Sequence, residues 1–143
     1  MYGLLLILHL AAAVLFIGGL FHQLVIWGLA RRSLPPATQD AVEAVLMPLH
    51  RHLLHGAALV LYVCGAGMAW RYRALLAAPF DSQFATLLSL KILLAISVLL
   101  HYVGLALLSR RGRLTPARRR AINASVLLHG LAILVLAKAM FHF

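Results

Sequence analysis

Four apolar runs, each almost free of charge, constrain this chain more than any other feature. They lie at about residues 3–30, 53–70, 84–108 and 121–143. A helix needs roughly 20 such residues to cross a hydrocarbon core about 30 Å thick. Inside a bilayer every backbone polar group must be bonded within the protein, which leaves helices or closed barrels. No strand alternation is present, so the expected fold is all-α: an integral membrane four-helix bundle, one domain over residues 1–143. Composition agrees. Charged residues make up 11% of the chain, against about a quarter in a soluble domain.

The first run does not read as a cleavable signal peptide. It has no basic leader, is too long for an h-region, and ends at Arg31-Arg32 instead of a small-residue cleavage site. The single cysteine, Cys64, excludes an internal disulfide framework and any CxxC redox motif.

The net charge of +10 would suit a nucleic-acid partner if it lay on one face. Here the basic residues flank apolar runs, so the expected partner is the lipid bilayer, with anionic headgroups, and not nucleic acid. Loop one carries Arg31, Arg32 and Arg51; loop three carries Arg110, Arg111, Arg113, Arg118, Arg119 and Arg120. The opposite side has Arg71 and Arg73. Basic loops stay in the cytoplasm, so both termini are expected on the outer side of the membrane. Within the loops, Pro35-Pro36 marks a break, and residues 41–49 read as a short surface helix before span two. "RLTPARRR" reads as a helix start, with Thr115 as N-cap and Pro116 at the first helical position.

Eight histidines are a heavy load for so small a membrane chain. Ionisable groups within spans are costly, face the protein interior and mark function by default. At 1.5 Å rise per residue, His9 falls roughly 10 Å outside the midplane and His22 roughly 9 Å inside it. An inner level then gathers one imidazole from each helix, His22, His55, His101 and His129, as candidate metal ligands. An outer level gathers His9 and Lys91 as a candidate cofactor site, with Lys138 and His142 nearby. Helix bundles build cofactor sites from inward side chains in this way, and neutral imidazole suits haem iron, copper, zinc and nickel. Glycines beside the inner histidines serve either a flat macrocycle or close helix packing. His50 and His52, in "PLHRHLLHG", fall at headgroup depth and read as interfacial.

Three segments carry a family resemblance: "LHLAAAVLFIGGL" at 8–20, "LKILLAISVLLHYVGLALLSRR" at 90–111 and "RLTPA" at 113–117. They resemble the CopD family of bacterial inner-membrane proteins, associated with copper uptake or resistance. The His-then-Gly-Gly first helix and the lysine early in helix three are also similar to the HemJ family, haem-associated four-span protoporphyrinogen oxidases. The resemblance implies functional roles for His9 and Lys91, and it extends to Asn123 and Lys138 in the last helix. The chain departs from the HemJ pattern after "GLF", where it continues His22-Gln23 with no arginine, and again at Ala124 and Val126.

Three readings follow. The first is a haem b protein, an inner-membrane oxidoreductase candidate in which histidines from different helices hold the iron. Lys91 would bind a propionate or an anionic substrate, and a quinone or porphyrin would be the reaction partner. The alternative is a CopD-like copper-binding protein with a multi-histidine site. The third is a non-catalytic scaffold whose histidines knit helices together. A homo-oligomer is compatible with each.

Overall fold

The computed structural model describes residues Tyr2–Met140; His142 and the last residues of the fourth run lie outside that range. The described residues are 90% helical and contain no strand. Four helices are long and apolar enough to cross a membrane: α1 (Tyr2–Ser33), α2 (Pro36–Arg71), α4 (Gln83–Arg110) and α5 (Pro116–Ala139). A short helix, α3 (Arg73–Ala77), lies between the second and third. The chain divides into two compact units, 1–71 and 72–143.

The first unit is the antiparallel hairpin of α1 and α2. Its register is visible in the side-chain contacts, because His9 meets Leu61, His22 meets His50, Gln23 meets Met47 and Trp27 meets Glu43. Numbers rising along α1 meet numbers falling along α2. On α1 the buried residues are Ala12, Phe16, Leu20 and Trp27, and on α2 they are His50, Leu54, Ala57 and Cys64. Spacings of three, four and seven make one stripe on each helix.

α1 is not a uniform α-helix. Residues His22–Ile26 form a π-helical turn, after which Trp27–Ala30 return to α geometry and Arg31–Ser33 close in a 3₁₀ turn. A π-turn inserts an extra residue and re-aims the side chains beyond it, and such bulges recur at functional sites. α2 runs unbroken for 36 residues, about 54 Å at the α-helical rise. The expected surface helix over 41–49 is therefore the first part of the same helix that carries span two. Pro48 sits inside it without ending it. Proline removes one N–H and one ladder bond, and long membrane helices absorb that loss through neighbouring groups.

The second unit holds α3 and the α4–α5 hairpin. Ser82 caps α4 by accepting from the Ala85 N–H at 3.1 Å. Thr115 caps α5, accepting from the Arg118 N–H at 3.2 Å, with Pro116 first in the helix as the sequence predicts. α4 ends in a Schellman turn. Gly112 has φ +64°, the Arg113 N–H donates to the Leu108 carbonyl at 2.9 Å, and the Gly112 N–H donates to that of Ser109 at 3.1 Å. That left-handed position costs glycine nothing and a β-carbon something. The tight turn fixes the register in which α4 faces α5, which sets Ser97 opposite His129 and His101 opposite Ser125.

Candidate functional site: three histidine arrangements

In the α4–α5 hairpin His101 and His129 come together, with ring centroids 5.1 Å apart and planes inclined by 58°. Each ring is fully engaged. The His101 Nδ1–H donates to the Ser97 carbonyl at 2.7 Å, and the His129 Nδ1–H donates to the Ser125 carbonyl at 2.7 Å. A carbonyl can only accept, so both Nδ1 atoms carry the proton and both Nε2 atoms carry the lone pair. Across the interface the Ser125 hydroxyl donates to His101 Nε2 at 3.0 Å, and the Ser97 hydroxyl donates to His129 Nε2 at 3.2 Å. Ser97, His129, Ser125 and His101 thus form a closed ring of four hydrogen bonds.

The ring has a local two-fold character that comes straight from the sequence. "SVLLH" occurs at 97–101 and again at 125–129. In each copy serine and histidine are four residues apart, one above the other on a helix face, and the valine between them, Val98 or Val126, is buried. Two identical faces packed antiparallel must exchange partners, serine to histidine and histidine to serine. Sequence reasoning grouped His101 with His129 but missed both serines; the repeated pentapeptide was the available signal.

In the first hairpin His9 is half-buried on α1, and its Nδ1–H donates to the Leu61 carbonyl of α2 at 3.0 Å. Its lone pair therefore lies on Nε2. The ring rests against Gly65, where a β-carbon would stand 3.3 Å from His9 Cε1.

His22, at the start of the π-turn, pairs with His50. His22 Nδ1 and His50 Nε2 are 3.1 Å apart, and the rings are stacked with centroids 5.0 Å apart and 24° between planes. His50 is only 9% exposed, and its Nδ1 is buried without a hydrogen-bond partner. The expectation for His50 was an interfacial side chain; instead it packs in the seam of the hairpin. His52, two residues on, is exposed and donates from Nδ1 to the Pro48 carbonyl at 2.8 Å. Below the histidine pair, the Gln23 amide donates to the Met47 thioether at 3.7 Å. Glu43 Oε1 accepts from the Trp27 indole at 3.1 Å and pairs with Arg31 at 3.1 Å.

The remaining candidates stand apart from these arrangements. His55 is exposed on α2. Lys91 is half-buried on α4 and forms no ion pair with the described residues. Among the described residues no group of three or more His, Cys, Asp or Glu side chains is placed to hold a metal ion. Comparison with protein-family models, with curated proteins and with solved structures finds no match.

Proposed function

We propose that this chain is a multi-pass protein of a bacterial inner membrane that carries haem b and takes part in electron transfer or in oxidation of a quinol or porphyrinogen. The observation that carries the reading is the arrangement of His9. A ligating histidine donates its second ring N–H to a carbonyl or carboxylate, which fixes the tautomer and aims the other nitrogen. His9 has that arrangement through Leu61. The donor set favours haem over a bare ion. Among the described residues no three His, Cys, Asp or Glu side chains gather where they could hold a bare ion. Haem iron arrives with four porphyrin nitrogens and asks the chain for one or two imidazoles.

In this reading His9 is an axial ligand, and Lys91 supplies a positive charge for a propionate. Bound haem would supply one-electron chemistry; the chain would bind it, orient it and exclude water. Residues 31–51 and 110–120 would face the cytoplasm and the termini the periplasm, because nine of the eleven arginines lie in those two segments. The resemblance to the HemJ and CopD families supports the same choice of cofactors.

The test is the visible spectrum and haem content of protein purified from cells supplied with a haem precursor. A Soret band that sharpens on reduction, and is lost or shifted in His9→Ala, supports the proposal. A colourless preparation with stoichiometric copper would replace it with the copper reading.

A further inference from the structure

The turn between α4 and α5 concentrates positive charge that nothing in its own unit offsets. Residues 109–120 read "SRRGRLTPARRR", with six arginines and no acid. The one acidic side chain of the second unit, Asp81, stands before α4. α4 is 28 residues long, about 42 Å, which is several screening lengths of about 8 Å in physiological salt. All six arginines are exposed, and none forms an ion pair with the described residues. The first hairpin is different. There Arg31 pairs with Glu43 at 3.1 Å, and Asp40 adds a second acid to the same segment.

The backbone holds these like charges together. Gly112 turns the chain at φ +64°, Thr115 caps α5, and Arg118 Nη1 donates to the Arg113 carbonyl at 2.9 Å. Leu114 alone among residues 110–120 is half-buried. Arg110 and Arg111 close the apolar run of α4, and Arg119 and Arg120 immediately precede that of α5. Two arginine pairs, one on each helix, therefore stand where the apolar runs end. The residue type is informative as well. Every basic residue outside the apolar runs is arginine, and the two lysines, Lys91 and Lys138, lie within them. Topology does not require that choice, because lysine and arginine count alike in setting orientation. Phosphate recognition does favour it: a guanidinium grips a phosphate with two parallel N–H donors, whereas an ammonium offers a point charge.

We infer that the α4–α5 turn is a binding site for anionic phospholipid headgroups, in which the arginines of both helix ends grip lipid phosphates through bidentate hydrogen bonds. Any basic loop is drawn to an anionic leaflet; this site also depends on the guanidinium fork and is confined to the second hairpin. Lipid is the occupant because both pairs stand at the ends of membrane-length helices, where headgroup phosphates are the nearest anions. The site is independent of haem and of the side of the membrane that the turn faces.

The test titrates full-length protein in mixed micelles with phosphatidylglycerol and, separately, with phosphatidylcholine, counting bound lipid by native mass spectrometry. Wild type should prefer phosphatidylglycerol. Arg119→Ala with Arg120→Ala should weaken its binding about 25-fold, at about fivefold for each basic residue near an anionic surface. Arg31→Ala should leave it unchanged, because that guanidinium is already paired with Glu43. The decisive variant combines Arg110→Lys, Arg111→Lys, Arg113→Lys, Arg119→Lys and Arg120→Lys, and leaves Arg118 to brace the turn. It keeps every charge, so reporter fusions should show an unchanged topology, yet phosphatidylglycerol binding should fall. Wild-type affinity in the lysine variant overturns the fork, and no preference between the two lipids in wild type overturns the site. A last arm adds inorganic polyphosphate to protein already carrying phosphatidylglycerol. Lipid that stays bound supports a headgroup site; its displacement at equal phosphate concentration assigns the turn to a soluble polyanion and overturns the inference.

Discussion

The Ser97–His129–Ser125–His101 ring makes a quantitative prediction that separates a structural clasp from a ligand set. Two of its four bonds cross between helices, and two are local, each within one helix. Interhelical hydrogen bonds measured in membranes average about 0.6 kcal/mol and reach about 1.7 kcal/mol. Removing both cross-helix bonds should therefore cost about 1.2–3.4 kcal/mol. Ser97→Ala and Ser125→Ala each delete one hydroxyl donor with almost no change in volume. Because the two SVLLH faces are equivalent, the single variants should lose the same stability to within a few tenths of a kcal/mol. A double-mutant cycle of Ser97→Ala with His129→Leu should show coupling of about 0.6–1.7 kcal/mol, as should Ser125→Ala with His101→Leu. Ser97→Ala with His101→Leu should show almost none, since His101 bonds the Ser97 carbonyl and not its hydroxyl. The assay is equilibrium unfolding in mixed micelles or steric trapping in bicelles, with intact spectra as the check on folding. Coupling confined to the same-helix pairs, or absent from both cross-helix pairs, would refute the ring and release His101 and His129 as ligands.

Other outcomes follow from the same geometry. Gly65→Ala places a β-carbon 3.3 Å from His9 Cε1, so it should move the His9 ring and shift any haem Soret band with a stability cost of about 1–2 kcal/mol or less; Gly67→Ala, 3.4 Å from Leu5, should leave both unchanged. Glu43→Gln weakens a partly exposed pair with Arg31, so unfolding measurements should find a loss under about 1 kcal/mol. Trp27 fluorescence, read in a Trp70→Phe background, should still change, since Glu43 also holds the Trp27 indole. Lys91→Met should keep the fold and lower affinity for haem or for an anionic substrate; an unchanged titration would remove Lys91 from the site. Replacing the arginines of 110–120 by Ser should loosen cytoplasmic retention of that loop, as read by reporter fusions at residue 112 and at the C-terminus.

The sequence displayed the fold well because each signal it rests on is local. Apolar length alone marks four membrane-length helices, and Thr115-Pro116 marks the start of α5 by capping chemistry that involves only its own turn. The boundary it misplaced was also decided by a local rule. The Pro35-Pro36 break falls where the sequence reads it, but the surface helix expected over 41–49 is continuous with span two, with Pro36 opening α2 and Pro48 within it. A proline costs a helix one bond, and α2 has 36 residues with a hairpin partner over which to absorb that cost.

The candidate site was less legible, and the reason is rotational. Depth along a span follows from residue number, so the separation of His9 from His22 was readable, and their partners Leu61 and His50 do lie eleven residues apart on α2. Direction around the axis does not follow so simply. On a straight helix His9 and His22 differ by about 140°, which argues against a shared face, yet both bond to α2. The residues between them, up to Phe21, are regular α-helix, and the π-turn begins only at His22. Protonation is one level more remote. Whether an imidazole is a clasp or a ligand depends on which nitrogen holds the proton, and that depends on what its other nitrogen touches. For His101 and His129 both nitrogens are taken, by carbonyls and by serines. For His50 one nitrogen is taken and the other has no partner. The eight histidines of the sequence are therefore not equivalent candidates.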